Sequence, residues 1–195
     1  MRSEKPLIAG AISMVAVAGL LLVAIPFAQL KDIGPPEGLH PYTAAQQRGR
    51  DEYIRQGCLY CHSQQPRDRS QAPDGERGWG RPSVAGDYYY DKPHLLGTMR
   101  TGPDLLNIGA RQPSVDWHLG HLYQPRAYVP GSIMPGYPFL FDLKDRAEPG
   151  ERAVALPPGT VPEGKVVVAQ PRALDLAAYL VSLDRTYPAI EGGQP

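Results

Sequence analysis

The longest hydrophobic stretch of the chain lies at its N-terminus. No residue from Pro6 to Leu30 is charged, and the run LIAGAISMVAVAGLLLVAIPFAQL is almost wholly apolar. As a helix, its roughly 24 residues extend about 36 Å, which is more than the ~30 Å of hydrocarbon in a bilayer. The pattern predicts a transmembrane anchor over residues 1–30.

The flanks of this run predict its orientation. Arg2 and Lys5 precede it, and the polar segment KDIGPPEGLHPY follows. The positive-inside rule then leaves the N-terminus in the cytoplasm and places the remainder outside the inner (plasma) membrane, which is the periplasm if the cell is a Gram-negative bacterium. A cleaved signal peptide is the alternative. The run is longer than a signal core of about 7–15 residues and lacks a small-x-small cleavage site, which favours an uncleaved anchor.

Two further segments have helical periodicity. Residues 44–56 place Gly49 and Tyr53 one turn apart, and glycine at such a position lets another helix approach closely. The second segment, PRALDLAAYLVSLDR, begins at Pro171 and repeats apolar residues at helical spacing. We expect the two helices to cross through these residues: Leu176, Tyr179, Leu180 and Leu183.

The chain between these helices is irregular. Residues 63–82 have almost no apolar periodicity and predict a long surface loop. RAVAL (152–156) and KVVVA (165–169) flank a Pro/Gly-rich turn and predict a small β-hairpin. The expected fold class is mainly α.

Composition agrees with a folded, loop-rich domain. The sequence has 195 residues with 42% hydrophobic and 21% charged residues, and its 22 prolines and 21 glycines require many turns. Twenty basic residues balance twenty acidic ones, so nothing indicates nucleic-acid binding.

Both cysteines of the chain lie in the stretch GCLYCH, as Cys58 and Cys61, with His62 directly behind them. Four uses are open: a redox pair, a zinc site, structural cysteines, and covalent haem attachment. A thioredoxin-like pair follows a buried strand, whereas AAQQRGRDEYIRQG is polar and helix-like. A zinc site needs a second ligand pair, and His118-x-x-His121 is closer than the usual spacing. A disulfide across two residues closes too short a loop to stabilise a fold.

Haem attachment explains why the three residues lie within five positions, because two thioethers then place the imidazole under the iron. The iron also needs either an open sixth site or a second axial ligand. Of the four methionines, Met134 lies in the proline-flanked loop PGSIMPGYPF, which can hold a thioether rigidly. Filling of the hydrophobic core is the ordinary role of a lone methionine. His118 and His121 are the rival ligands, with a buried, hydrogen-bonded helix pair as their structural alternative.

The segments HPYTAAQQRGRDEYIRQGCLYCHSQ, AGDYYYDKP, RTGPDL and DWHLGHLYQPRAYVPGSIMPGYPFL together resemble the membrane-anchored monohaem cytochrome c subunit, subunit II, of cbb3-type cytochrome c oxidases. The resemblance implies a class I-like cytochrome c domain. We expect the anchor at 1–30, a linker at 31–43, the domain at 44–187 with an insert at 63–100 and the hairpin within 152–169, and a tail at 188–195.

The resemblance also implies the site and the partners. Cys58 and Cys61 attach one haem c, His62 is the proximal ligand and Met134 the distal ligand of the iron. Arg100, in RTGPDL, is expected near a haem propionate, and Tyr137 is assigned to the same haem-binding set. The chain itself is then a non-catalytic electron-transfer subunit. Its expected partners are the catalytic haem–copper subunit and a second c-type cytochrome subunit or donor cytochrome.

Two segments depart from the family pattern. Gln65-Pro66-Arg67 opens a hydrophilic loop, and residues 142–170 lack a helical stretch. These departures keep three alternatives open: a cytochrome of another respiratory complex, such as one resembling nitric oxide reductase, a free membrane-tethered electron carrier, and a haem-based sensor.

Overall fold

The computed structural model describes residues 4–97 and 99–189. Its N-terminal helix runs from Lys5 to Leu30 as α1 (Lys5–Gly19), a π-helical turn (Leu20–Ala24) and α2 (Ile25–Leu30). This 26-residue helix has a hydropathy of 2.6 over its most apolar window, and it is the one helix within the described residues that is long and apolar enough to cross a membrane. It thus has the length and composition predicted for an anchor.

The segment after the N-terminal helix contacts the domain. Pro36 is buried, and a Cβ added to Gly86 would lie only 3.1 Å from the Pro36 ring. The hydroxyl of Tyr42 donates a hydrogen bond of 2.9 Å to Asp91. The segment predicted as a linker, 31–43, therefore contacts the domain at Pro36 and Tyr42, while most of its other residues are exposed.

Helix α3 (Ala44–Arg55) begins at a capping box. The Gln46 amide donates to the Thr43 hydroxyl at 3.3 Å, and the Thr43 amide donates to the Gln46 side chain at 2.8 Å. These bonds satisfy two amides that a helix start leaves unpaired. The capping box therefore defines where the domain's first helix begins.

Helix α7 (Pro171–Ser182) crosses α3 as the sequence predicts. A Cβ on Gly49 would lie 1.9 Å from the carbonyl oxygen of Asp175, so the contact requires glycine. The rings of Tyr53 and Tyr179 meet edge to face with centroids 5.6 Å apart. The apolar residues expected at the crossing are all buried: Leu176, Tyr179, Leu180 and Leu183.

Three short helices complete the α-helical part: α4 (Ile108–Arg111), α5 (Val115–Tyr123) and α6 (Pro125–Tyr128). The Ser114 hydroxyl caps α5 by accepting from the Trp117 amide at 3.2 Å. Both α4 and α5 pack on α7. The core lies between α3, α5, α7 and a small sheet.

The sheet has the antiparallel order β1-β3-β2, with β1 (Phe141–Lys144), β2 (Arg152–Ala153) and β3 (Val166–Ala169). Strands β2 and β3 are the predicted hairpin, with Ala153 opposite Val168. Strand β1, which pairs Phe141 with Ala169, was not predicted. Its four residues alternate apolar and polar, a pattern too short to identify a strand from sequence.

The segment 63–82 is irregular, as expected, but it is not wholly on the surface. Ser63, Gln64 and Asp74 are buried. The carboxylate of Asp74 accepts a hydrogen bond from the Arg67 amide at 2.8 Å. Buried polar groups of this kind fix a loop that lacks an apolar pattern.

Candidate haem site

The C-x-x-C-H motif forms one tight turn directly after α3. Gly57 has a φ of +72°, which favours glycine, and a single 3₁₀ turn, Cys58–Tyr60, follows. The amides of Cys61 and His62 both donate to the carbonyl of Cys58, at 3.1 and 2.9 Å. This turn holds the two thiols and the imidazole close together.

The two thiols differ in environment. Cys58 is half-buried and packs against the hydrophobic core, whereas Cys61 is exposed, and neither forms a disulfide. Burial raises the pKa of the Cys58 thiol to about 11, so it is protonated at neutral pH. A redox-active cysteine pair needs a low-pKa thiolate, which the burial of Cys58 disfavours.

Tyr137 brings a second segment of the chain to the motif. Burial, together with the neighbouring Cys58 and Cys61, raises the pKa of its phenol to about 12. Its amide donates to the carbonyl of Leu122 at 2.8 Å, which ties the loop around Met134 to α5. The predicted haem-binding residue Tyr137 therefore lies beside the two cysteines.

His62 is oriented by a backbone acceptor. Its Nδ1 lies 2.7 Å from the carbonyl oxygen of Pro103. A carbonyl can only accept, so Nδ1 carries the proton and the lone pair of Nε2 is available to a metal. Burial lowers the pKa of His62, which keeps the ring neutral. A neutral imidazole with one nitrogen held by the protein is the form in which histidine binds iron.

Gly102 makes room for the His62 ring. A Cβ added there would lie 2.3 Å from Cε1 of the imidazole. The amide of Gly102 also donates to the carbonyl of Cys61 at 2.9 Å. The glycine of RTGPDL therefore serves the same site as the cysteine motif, 40 residues away in sequence.

Met134 is half-buried and packs against the same hydrophobic cluster as Cys58. Its amide donates to the hydroxyl of Ser132 at 3.2 Å. The assignment of its thioether as the distal iron ligand stays a prediction.

His118 is one of the two rival ligands predicted from the sequence. It is buried, and its Nε2 lies 2.8 Å from the carbonyl oxygen of Gln112, as expected for a structural histidine.

His121 stacks on Trp117 with ring centroids 4.6 Å apart. Its Nδ1 is buried and has no hydrogen-bond partner among the described residues. Burial, with His118 and His62 nearby, lowers the pKa of His121 to about 4. This ring is neutral and close enough to His62 to influence it, which makes it part of the surroundings of the site.

Arg100 is held by other protein groups. Its guanidinium contacts the buried carboxylate of Asp74 at 2.6 Å and donates to the carbonyl of Gln65 at 2.7 Å. It also lies 5.4 Å from the ring centre of Trp79. Within the described residues, Nε of Arg100 is its one buried nitrogen without a hydrogen-bond partner. A propionate would therefore meet a guanidinium whose other two nitrogens are already bonded to Asp74 and Gln65.

Arg111 is a candidate haem-binding residue that was not predicted from the sequence. Its Nη2 donates to the backbone carbonyl of Asp104, and its Nε is buried without a partner in residues 4–97 and 99–189. Burial lowers its pKa, and its charge acts on His62. Nothing local distinguishes an arginine at the end of a short helix from a surface residue, so the sequence alone carried no signal.

These residues can hold a haem. The observations that fit are the glycine that accommodates the His62 ring, the fixed imidazole tautomer, and orphaned buried nitrogens on Arg111 and His121. Zinc has no comparable site: within the described residues, no group of three His, Cys, Asp or Glu side chains is close enough to hold a metal ion.

The mostly helical domain, its small sheet and the single apolar N-terminal helix define a membrane-anchored cytochrome domain. Residues 2–156 match the sequence model of the family described as cytochrome c oxidase, mono-haem subunit/FixO. The chain belongs to this family, which confirms the resemblance to the monohaem subunit of cbb3-type oxidases. A comparison with curated proteins gives no match.

Membership establishes the coarse features of the function. The chain is a subunit of a cytochrome c oxidase complex and binds one haem, and such a subunit implies a catalytic oxidase partner. The matched region ends within the turn between β2 and β3, so α7 and β3 lie outside it although they complete the core.

Proposed function

We propose that this chain relays electrons, through one covalently attached c-type haem, to the catalytic subunit of a cbb3-type haem–copper oxidase. The observation that carries the proposal is the single turn that presents Cys58, Cys61 and His62 together, with His62 Nδ1 held by the carbonyl of Pro103. The bound haem supplies a one-electron iron couple. The chain attaches it, orients it and limits water around it.

In this proposal Cys58 and Cys61 form thioethers to the haem, His62 is the proximal ligand and Met134 the distal ligand. The half-buried Met134 and Cys58 share one hydrophobic cluster, which supports a common pocket. Thioether ligation and a partly dry pocket both favour reduced iron and raise the potential.

Two arginines are proposed to face the negatively charged propionates. Arg111 supports this because its buried Nε has no partner among the described residues and its charge reaches His62. Arg100 would act from a position fixed by Asp74. A guanidinium suits this task because its planar N–H groups match carboxylate geometry.

The proposed topology has the N-terminus in the cytoplasm and the cytochrome domain in the periplasm, anchored by the single helix Lys5–Leu30. The charge distribution around that helix supports this orientation. Tyr60, Ile133 and Phe139 are large exposed apolar side chains next to the cysteine turn, Met134 and Tyr137. They suit contact with the catalytic subunit or a second c-type cytochrome.

Purification of the full chain in mild detergent, followed by mass spectrometry of the assembly and haem staining after denaturation, tests the proposal. We expect co-purification with a multi-helix oxidase subunit and covalent haem that is lost in Cys58→Ser and Cys61→Ser. Purification of the haem-bearing chain alone would favour a free carrier instead. Rapid CO binding to the reduced wild-type chain would favour a sensor.

A further inference from the structure

The His62 segment lies alongside the RTGPDL segment. The Gly102 amide donates to the Cys61 carbonyl at 2.9 Å, and the Leu105 amide donates to the Ser63 carbonyl at 2.8 Å. These two backbone bonds flank the contact between His62 and Pro103. The orientation of the imidazole therefore depends on the alignment of the two segments.

The carboxylate of Asp104 joins the same two segments. Its Oδ2 accepts from the Ser63 hydroxyl at 2.5 Å and from the Gln65 amide at 2.7 Å. Its Oδ1 accepts from the Leu106 amide at 2.9 Å. The side chain is fully buried, with 0% exposure. A carboxylate with this many donors in a dry site is held in one position.

The positions of these contacts in the chain matter. Ser63 directly follows His62, and Asp104 directly follows Pro103, so the carboxylate links the two neighbours of the His62–Pro103 hydrogen bond. We propose that Asp104 is a positioning residue for His62: by holding both segments in register, it sets the plane of the imidazole presented to the iron. This inference rests on the proposed function of His62 as the proximal ligand.

The contacts require a carboxylate rather than an amide. The three groups that hydrogen-bond to its oxygens are donors, one hydroxyl and two backbone amides, and the Arg100 guanidinium lies 3.7 Å from Oδ2. Asparagine would replace one acceptor oxygen with an NH₂ group that faces a donor, and it would leave a buried amide without a partner. Asp104→Asn should therefore shift the alignment while keeping the size of the side chain.

Removal of the negative charge is a separate effect, and Asp74 provides a control for it. Asp74 is also fully buried, contacts the same Arg100 at 2.6 Å, and accepts from the Arg67 amide. Arg100 lies 3.7 Å from Asp104. None of the hydrogen bonds of Asp74 reaches the residues next to His62. Asp74→Asn replaces a buried carboxylate that contacts Arg100, and it leaves the hydrogen bonds between Asp104 and the Ser63 segment in place.

The experiment uses the full-length, haem-bearing chain in its complex and measures two properties of the ferric haem. Electron paramagnetic resonance reports the orientation of the ligand planes through the g values. Paramagnetic NMR reports hydrogen exchange of the His62 Nδ1 proton. We expect Asp104→Asn to shift the g values and to speed exchange on the order of tenfold, as the loss of one hydrogen bond predicts. Asp74→Asn should leave exchange of the His62 Nδ1 proton at the wild-type rate, and only this exchange rate serves as the control, because Asp74 holds Arg100, a proposed propionate ligand.

Ser63→Ala is the milder second variant, because it removes one of the three donors to Asp104. It should shift the g values in the same direction by a smaller amount. If Asp104→Asn yields no haem-bearing protein, the result for Ser63→Ala decides, and unchanged g values and exchange there overturn the proposal. A third measurement is the urea midpoint of unfolding. The proposal is also overturned if Asp104→Asn lowers this midpoint as much as Asp74→Asn does, while the g values and the exchange rate of Asp104→Asn stay those of wild type.

Failure of the proposed function gives a different result. A wild-type chain whose haem lacks histidine ligation contradicts the role of His62 itself. A histidine-ligated wild type with unchanged variants contradicts only the positioning role of Asp104.

Discussion

The imidazole of His62 rests against the backbone of Gly102, where a Cβ would lie 2.3 Å from its Cε1 atom. The structure thus contains a steric constraint on the ring of His62, the proposed proximal ligand, that does not involve any polar contact. This relationship leads to the first of four predictions.

Gly102→Ala should displace the His62 ring, because the added methyl group overlaps it. We expect a loss of stability of about 1–3 kcal/mol, typical of overpacking, together with an altered haem spectrum. Absorption spectra and urea unfolding of the haem-bearing chain measure both. Gly75→Ala is the matched control, since its Cβ would meet nothing closer than 3.8 Å. A wild-type spectrum in Gly102→Ala would show that the ring does not occupy this position in the haem-bearing protein.

Met134→Ala should abolish the weak near-infrared absorption that a methionine thioether gives on ferric haem. Removal of the ligand also opens the sixth position, so the reduced variant should bind CO rapidly. Met99→Ala is the control, because Met99 is an exposed side chain (56%), and it should keep the band. Survival of the band in Met134→Ala would refute the assignment of the distal ligand and direct attention to His121.

Gly49→Ala should weaken the contact between α3 and α7. The new Cβ would lie 1.9 Å from the Asp175 carbonyl oxygen and 2.8 Å from Cβ of Tyr179, and backbone cannot move aside easily. We expect the free energy of unfolding to fall by about 1–3 kcal/mol. Urea denaturation followed by tyrosine fluorescence measures it. An unchanged midpoint would mean that the helices cross elsewhere.

Glu52→Gln should destabilise the protein at neutral pH and less so in acid. Burial opposes ionisation of Glu52, but hydrogen bonds from Arg172 and Gln56, with the charges of Arg172 and Arg55, lower its pKa below the usual value. The unfolded chain therefore binds more protons in this range, and the contribution of the carboxylate is lost as pH falls through the folded pKa.

At pH 7 the expected loss is about 1.5–3 kcal/mol, the range for hydrogen bonds to a charged group. Urea unfolding at pH 7 and at pH 3 should show the difference between wild type and Glu52→Gln shrinking in acid. Glu163→Gln, at an exposed position, should stay within about 0.5 kcal/mol of wild type at both values. A difference independent of pH would assign the effect to packing rather than to charge.

The parts of the fold that sequence predicted are those with local patterns. The apolar run before Lys31, the helical spacing of Leu176, Tyr179 and Leu183, and the valines of β3 each carry their own periodicity. Gly49 and Tyr53 indicated a helix crossing, because a glycine one turn from an aromatic residue predicts a close helix contact even when the partner helix is not known. The cysteine motif predicts haem attachment because its three residues lie within five positions.

The parts that sequence missed depend on residues distant in the chain. Arg100 finds Asp74 across 26 positions, in a loop whose composition indicates only solvent exposure. Asp104 meets Ser63 across 41 positions. The partial burial of Arg111 comes from tertiary packing, and an isolated arginine has no pattern from which to infer it. Strand β1 forms because β3 offers it an edge.

The docked segment after the membrane helix limits how far the domain can move. Five residues separate Leu30, the end of α2, from the buried Pro36, and even fully extended such a length of chain reaches only about 20 Å. A carrier that travels between distant donors and acceptors needs a long, loose tether, and this chain has a short one. A partner in the proposed electron relay would have to lie within this radius of the anchor, which favours assembly in one complex over encounter by diffusion.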